Sequence, residues 1–147
     1  MAISTPAAAR AVCELRDWQV SNLALQKILY VAQMVHLGRH ELPLLPESFE
    51  PWDYGPVIPS LYRQVRMFGA QPVKDVFYGV RPIPEGAEKA TLSEVVPFLA
   101  SFTPGQLVNL THWQNGAWAK FYRPSTRGII IPNQAIADEF RARQQSA

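Results

Sequence analysis

One helical segment constrains the fold of this chain more than any other feature. From Asn22 to Leu37 the residues keep a helical pattern that stops at Gly38, and Ser21 is placed to cap its first turn. Between Ile28 and Val35 only Gln33 is fully polar, so this helix is apolar around most of its circumference. Such a helix cannot lie on a surface; other elements must enclose it. Its polar exceptions, Gln26, Lys27, Gln33 and the hydroxyl of Tyr30, share one narrow sector, because positions four and seven apart lie on one helix face. That sector must meet solvent, a partner or an interior polar network.

The rest of the chain supplies more helices and little strand. Thr5 followed by Pro6 is a helix start and predicts a helix from about Pro6 to Arg16, with Ala8, Ala11, Val12 and Leu15 on its apolar side and Cys13 beside it. The prolines from Leu42 to Pro59 exclude a long helix, and Phe49, Trp52 and Tyr54 imply a connector packed onto the core. A third helix is expected from about Val57 to Phe68, ending at Gly69, with Arg63, Gln64 and Arg66 outward. Alternation over Val73 to Val80 predicts one or two short strands, and Gly128 to Ile131 is a further candidate. Thr91 and Glu94 form a capping-box pattern before a helix through Phe102, kinked or delayed by Pro97. Thr103, Pro104 and Gln106 repeat that signal for a short helix to about His112, and a last helix covers about Asn133 to Arg143. The expected class is mainly α: one compact multi-helix domain, residues 1–147, around a central buried helix, with one or two short strands.

Composition removes several function classes. Hydrophobic residues at 48% and charged residues at 18% fit a chain with a real core rather than a disordered one. Cys13 is the only cysteine, so no internal disulfide forms and a reducing cytoplasm fits. The first ten residues lack the pattern of a secretory signal, and no run approaches the length of a membrane span. A net charge of +2, with arginines scattered along the chain, lacks the basic stripe of a nucleic-acid binder. His36, His40 and Glu41 have a spacing that can bind zinc, but Gly38 is expected to end the helix between the histidines, so no metal or cofactor is expected. Cys13 is read as a small buried hydrophobe rather than a nucleophile, and no catalytic constellation is present, so no enzyme is expected.

Three stretches carry a family resemblance. The first is the run from Ser21 to Gln33, with Leu25-Gln26-Lys27-Ile28-Leu29-Tyr30 at its centre. The second is Phe49-Glu50-Pro51-Trp52-Asp53-Tyr54-Gly55-Pro56-Val57 followed by Leu61-Tyr62, and the third is Leu110-Thr111-His112 with Trp118 six positions later. In order and spacing from about Ser21 to Phe140 they resemble the Panacea domain family, which includes the SocA antitoxin and the GepA-like proteins of mobile elements. The chain departs from the family at Pro51, where alanine is common, and at Ala117-Trp118, where Pro-Trp is common. The resemblance implies a cytoplasmic bacterial antitoxin that neutralises a protein toxin, commonly encoded beside it, by direct binding. SocA itself also delivers its toxin to the ClpXP protease as an adaptor.

Trp52, Asp53, Tyr54, Tyr62, Arg63 and Arg66 are the partner-binding candidates, because aromatic residues and arginine dominate interface hot spots. The structural alternative is that Trp52 to Pro56 only lock the connector down: Gly55 supplies a positive φ, Pro56 opens the next helix and Asp53 caps backbone N–H groups. Gln26, Lys27, Tyr30, Thr111 and His112 are expected to form a structural polar cluster inside the fold. The competing readings are a DNA-binding regulator, needing arginines on one face, and a protease adaptor docking through Met1 to Thr5 or Arg141 to Ala147.

Overall fold

A computed structural model describes residues 1–146. Seven helices and one two-stranded sheet follow the chain in the order α1 (Thr5–Leu15), α2 (Asn22–His40), β1 (Glu50–Trp52), β2 (Gly55–Val57), α3 (Pro59–Val65), α4 (Ala87–Phe98), α5 (Pro104–Thr111), α6 (Ala117–Phe121) and α7 (Asn133–Gln145). The protein is mainly α with minor β, as expected. Helix α2 lies at the centre and packs against α1, α3, α4, α5, α7 and β2. Leu25, Ile28, Leu29, Tyr30, Ala32 and Gln33 are all completely enclosed, although they point in different directions around the helix. No helix among the described residues is long and apolar enough to cross a membrane.

Helix α2 does not end at Gly38. It continues to His40 and is closed by Glu41 in the left-handed conformation. Gly38 is a packing residue: a Cβ there would stand 2.0 Å from Cδ2 of Phe140, so its missing side chain lets α7 lie against α2. His36 and His40 therefore share one continuous helix, with ring centroids 4.6 Å apart. His36 Nδ1 meets the Thr91 hydroxyl at 2.8 Å, and among the described residues no group of three His, Cys, Asp or Glu side chains is placed to hold a metal ion.

The other boundaries shift for local reasons. Ser4, not Thr5, caps α1 by accepting from Ala7 N at 3.2 Å. The buried stripe of α1 is Ala8, Ala9, Val12 and Cys13, whereas Leu15 is 46% exposed. The strands are not where alternation placed them. Residues 73–77 run without a sheet partner: Val73 and Phe77 are buried, and Val73 N bonds Val20 O at 2.9 Å. Ile131 makes only an isolated bridge to Phe49. The sheet lies instead in the proline-rich connector, where Glu50–Trp52 and Gly55–Val57 pair antiparallel with Trp52 opposite Gly55. Val57 thus belongs to β2, α3 starts at Pro59, and a 3-10 turn at Arg66–Phe68 ends at Gly69.

Helix α4 begins at Ala87, so Thr91 lies inside it and donates to Ala87 O at 3.0 Å instead of capping. Pro97 falls in its last turn, where a missing N–H removes at most one helical bond. Helix α5 starts as expected, with both bonds of the Thr103 and Gln106 capping box. The aromatic stretch after it forms the short helix α6.

Candidate functional site

The polar sector of α2 is enclosed, and each side chain in it reaches a group far away in sequence. Gln33 accepts the backbone N–H groups of Leu44 and Leu45 at 2.8 and 3.0 Å, pinning the start of the connector. Gln26 accepts Ile58 N at 3.0 Å just beyond β2 and donates to Asn22 at 3.3 Å. Lys27 donates to Pro56 O at 3.2 Å. Three of the four polar positions in this sector, Gln26, Lys27 and Gln33, therefore fasten both ends of the connector and the hairpin within it.

Among the described residues no carboxylate forms an ion pair with Lys27. Its side chain is fully buried, and desolvation pushes its pKa down to about 7. Gly55 makes room for it: φ is +118°, and a Cβ would stand 2.5 Å from Cε of Lys27. Thr111 faces the same spot, its hydroxyl donating to Leu107 O at 3.0 Å. The His112 pKa is lowered by burial and by the nearby Lys27, partly offset by the Tyr54 backbone. Lys27, Thr111 and His112 thus gather beneath the hairpin with Gln26 beside them. Tyr30 turns the other way.

Tyr30 donates to Glu139 Oε1 of α7 at 2.7 Å, in a second buried centre. Glu139 also accepts Ala117 N at 2.9 Å and forms an ion pair with Arg143 at 2.7 Å. Arg143 continues to Leu110 O at 2.6 Å and lies over the Trp113 ring at 4.6 Å. Gly116 admits the carboxylate, since a Cβ there would approach Glu139 Cδ to 2.9 Å. Sequence reasoning missed Glu139 and Arg143. Their four-residue spacing was the available signal, but that spacing equally marks an exposed helical pair.

Above these centres stands an aromatic stack. His112 and Trp118 are parallel with centroids 3.7 Å apart, and Tyr122 continues the stack 4.6 Å from Trp118. Trp118 donates its indole N–H to Trp52 O at 2.7 Å, and Tyr122 donates to Asp53. The hydrogen bond to Asp53 raises the Tyr122 pKa. The Trp52 ring meets Tyr62 edge-on at 4.9 Å, and its indole donates to Glu50.

The six partner-binding candidates are placed unequally. Trp52 and Tyr62 are half-buried against each other, and exposed Asp53 is taken by Tyr122. Tyr54 is 71% exposed at the hairpin tip. Arg63 and Arg66 are exposed on α3 and the turn after it, and neither forms an ion pair among the described residues. The Trp52–Tyr62 contact joins the hairpin to α3, and Tyr54, Arg63 and Arg66 are exposed.

Residues 25–119 match the family described as antitoxin SocA-like, Panacea domain. That match spans α2 to α6 and so includes the hairpin and most of its supports. The chain is also 32% identical over 149 residues to the Antitoxin SocA of Caulobacter vibrioides (strain NA1000 / CB15N), covering 88% of this chain and 77% of that relative. No solved structure matches.

Proposed function

This chain belongs to the antitoxin SocA-like Panacea family, and from that membership we propose that it neutralises a partner toxin by binding it directly, not by catalysis. The observation that carries the reading is the family match across α2 to α6, which contains the fastened hairpin. A loop held by Gln26, Lys27 and Gln33 loses little conformational freedom when a partner docks on it, so its contacts are not spent on ordering it. Tyr54 at the tip, with Trp52, Asp53 and Tyr62 behind it and Arg63 and Arg66 alongside, forms the contact face.

The arginines favour a protein partner over nucleic acid. Arg10, Arg39, Arg141 and Arg143 are engaged by Asp75, Glu94, Asp138 and Glu139, which takes four arginines away from a phosphate-binding footprint. Covering the toxin is also favoured over delivery to a ClpXP-type protease through the N-terminal residues. Ile3 N bonds Leu44 O at 2.9 Å and Ser4 caps α1, so Ile3 to Thr5 are not a free docking tail. At the other end α7 runs to Gln145, and Ala147 lies outside the described residues.

The test is survival of cells expressing the product of the gene beside this one, with and without this chain, together with co-purification of the two. The expected result is killing by the neighbour alone, rescue by co-expression and a stable complex. Tyr54→Ala, at an exposed position, is then expected to leave Tm unchanged and weaken the complex by about tenfold or more. A harmless neighbour with nothing co-purifying overturns the proposal.

A further inference from the structure

The segment between α6 and α7 ends in an open strand edge. Residues 127–130 lie outside any helix or strand, and their backbone groups make no backbone–backbone hydrogen bond among the described residues. At Ile131 the segment meets the sheet: its N–H donates to Phe49 O at 2.9 Å, in an isolated antiparallel bridge just before β1. In extended chain paired this way, successive residues direct their backbone groups to opposite sides, so the N–H and C=O of Ile130 point away from Phe49. The side chains alternate as well, Ile131 being buried and Ile130 54% exposed. The far side of the sheet is closed, because Lys27 and Gln26 take Pro56 O and Ile58 N. An unpaired edge beside an exposed apolar side chain is a template for pairing with another chain, and folded proteins usually cover it.

The turn that leads into this edge carries charge of one sign. Arg123 donates to Tyr122 O at 2.7 Å and Lys120 O at 3.3 Å, which holds its guanidinium against the end of α6. Thr126 N bonds back to Arg123 O at 3.4 Å around Pro124 and Ser125, whose φ is +55°, and this turn folds Arg127 back beside Tyr122 and Arg123. Lys120, Arg123 and Arg127 are exposed, and none forms an ion pair among the described residues. Residues 95–137 contain no Asp or Glu. One carboxylate reaches the turn from elsewhere, that of Asp53 through the Tyr122 hydroxyl. The same bond sets the turn beside the hairpin tip that carries Tyr54.

We propose that Ile129 and Ile130 receive an extended acidic segment of the partner toxin as an added strand, its backbone pairing with Ile130 and its carboxylates meeting Lys120, Arg123 and Arg127. Main-chain pairing gives such a contact its affinity, and the flanking side chains give it specificity. The edge favours a protein segment over nucleic acid, because phosphates would use the cations and leave the Ile130 carbonyl and side chain unmatched. A second copy of this chain fits less well, since it would bring the same three cations to both sides of one interface. The proposal rests on the reading that this chain binds its toxin directly, and it adds a second place of contact and its chemistry.

The test uses the full chain and the product of the neighbouring gene. Amide exchange at Ile130 is expected to be fast in the free chain and to slow at least about tenfold in the complex, because an N–H without a partner gains one. Ile130→Pro removes that N–H at a position where the free chain does not use it, so Tm is expected to stay unchanged while the complex weakens by about tenfold or more; Ile130→Val, which keeps the N–H, stays within about twofold of wild type. Lys120→Glu combined with Arg127→Glu is expected to slow association about tenfold at low salt, with the gap closing as salt rises. Wild-type binding by Ile130→Pro, wild-type association by the charge variant, an Ile130 amide left unprotected in the complex, or protection brought by nucleic acid or by raising the concentration of this chain alone overturns the edge proposal while leaving direct toxin binding intact. Failure of the unmodified chain to bind the toxin overturns both.

Discussion

Helix α2 carries two buried polar side chains three positions apart, Lys27 and Tyr30, and the fold treats them in opposite ways. Tyr30 enters a centre in which every strong donor has an acceptor: Glu139 takes the phenol, Ala117 N and Arg143, and Arg143 is further held by Leu110 O and the Trp113 face. Lys27 enters a centre with one backbone carbonyl and no acid, and desolvation lowers its pKa to about 7. Charge in the interior is tolerable where it is paired and bonded on all sides; where it is not, the group tends to give up its proton. The first centre clamps α7 to α2 and α6, whereas the second fixes the hairpin, so the two attachments rest on different chemistry.

Removing the acid should break the first centre with the largest effect. Glu139→Ala leaves Arg143, Tyr30 and Ala117 N without their shared acceptor, and a loss of about 3–5 kcal/mol is expected from thermal or urea unfolding. A loss below about 1 kcal/mol would mean that the clamp is not the stronger of the two centres.

The second centre is read through pH. Between about pH 7 and 10.5 the unfolded chain holds the Lys27 proton and the folded chain does not, so stability rises with pH; below about 7 both hold it and the full cost of the buried ammonium is present. Burial pushes Cys13 from 9.0 up to about 12, so above pH 9 the folded chain keeps a proton that the unfolded chain loses, which opposes the rise. The contribution is therefore clearest from pH 7 to 9, where wild type should gain up to about 1.4 kcal/mol per pH unit relative to Lys27→Met. Parallel pH profiles of the two proteins would show instead that Lys27 does not lose its charge on folding.

Gly55→Ala tests the same centre from the hairpin side. A methyl group at φ +118° and 2.5 Å from Lys27 Cε should cost about 1–3 kcal/mol and displace the lysine, with a partial return of stability when Lys27→Ala is combined with it. Strict additivity of the two substitutions would separate Gly55 from Lys27. The smallest effect is expected at the rim, where Tyr122→Phe removes an exposed bond to Asp53. No measurable change in Tm is expected, but amide exchange at Tyr54 and Gly55 should quicken, and unchanged exchange would show that the interior contacts alone hold the tip.

How much of this was legible depended on how far each signal acts along the chain. The Ser21 cap and the Thr103 and Gln106 capping box act within one turn, and both were read correctly. The Thr91 and Glu94 pattern misled because the same hydroxyl satisfies itself inside a helix by bonding four residues back. Gly38 misled for a related reason. Glycine marks a helix end when the backbone turns left-handed, but it also marks a close approach, and only the position of Phe140 distinguishes the two. The hairpin was hidden because Pro51, Pro56 and Gly55 all weaken strand propensity, and three-residue strands leave hardly any period to count.

By itself the sequence determined that α2 would be central, since a helix apolar on nearly all sides has no other stable place. It also determined that the polar sector needed partners; of the three connector aromatics expected to pack down, Phe49 is buried and Trp52 half-buried, whereas Tyr54 is exposed at the hairpin tip. Only the tertiary structure decided which partners those were. Tyr30 meets Glu139 109 positions away, and Lys27 meets Pro56 29 positions away. Local pattern states that a buried donor must be satisfied; which acceptor reaches it depends on how distant helices pack, and that is set by the shape of the whole core.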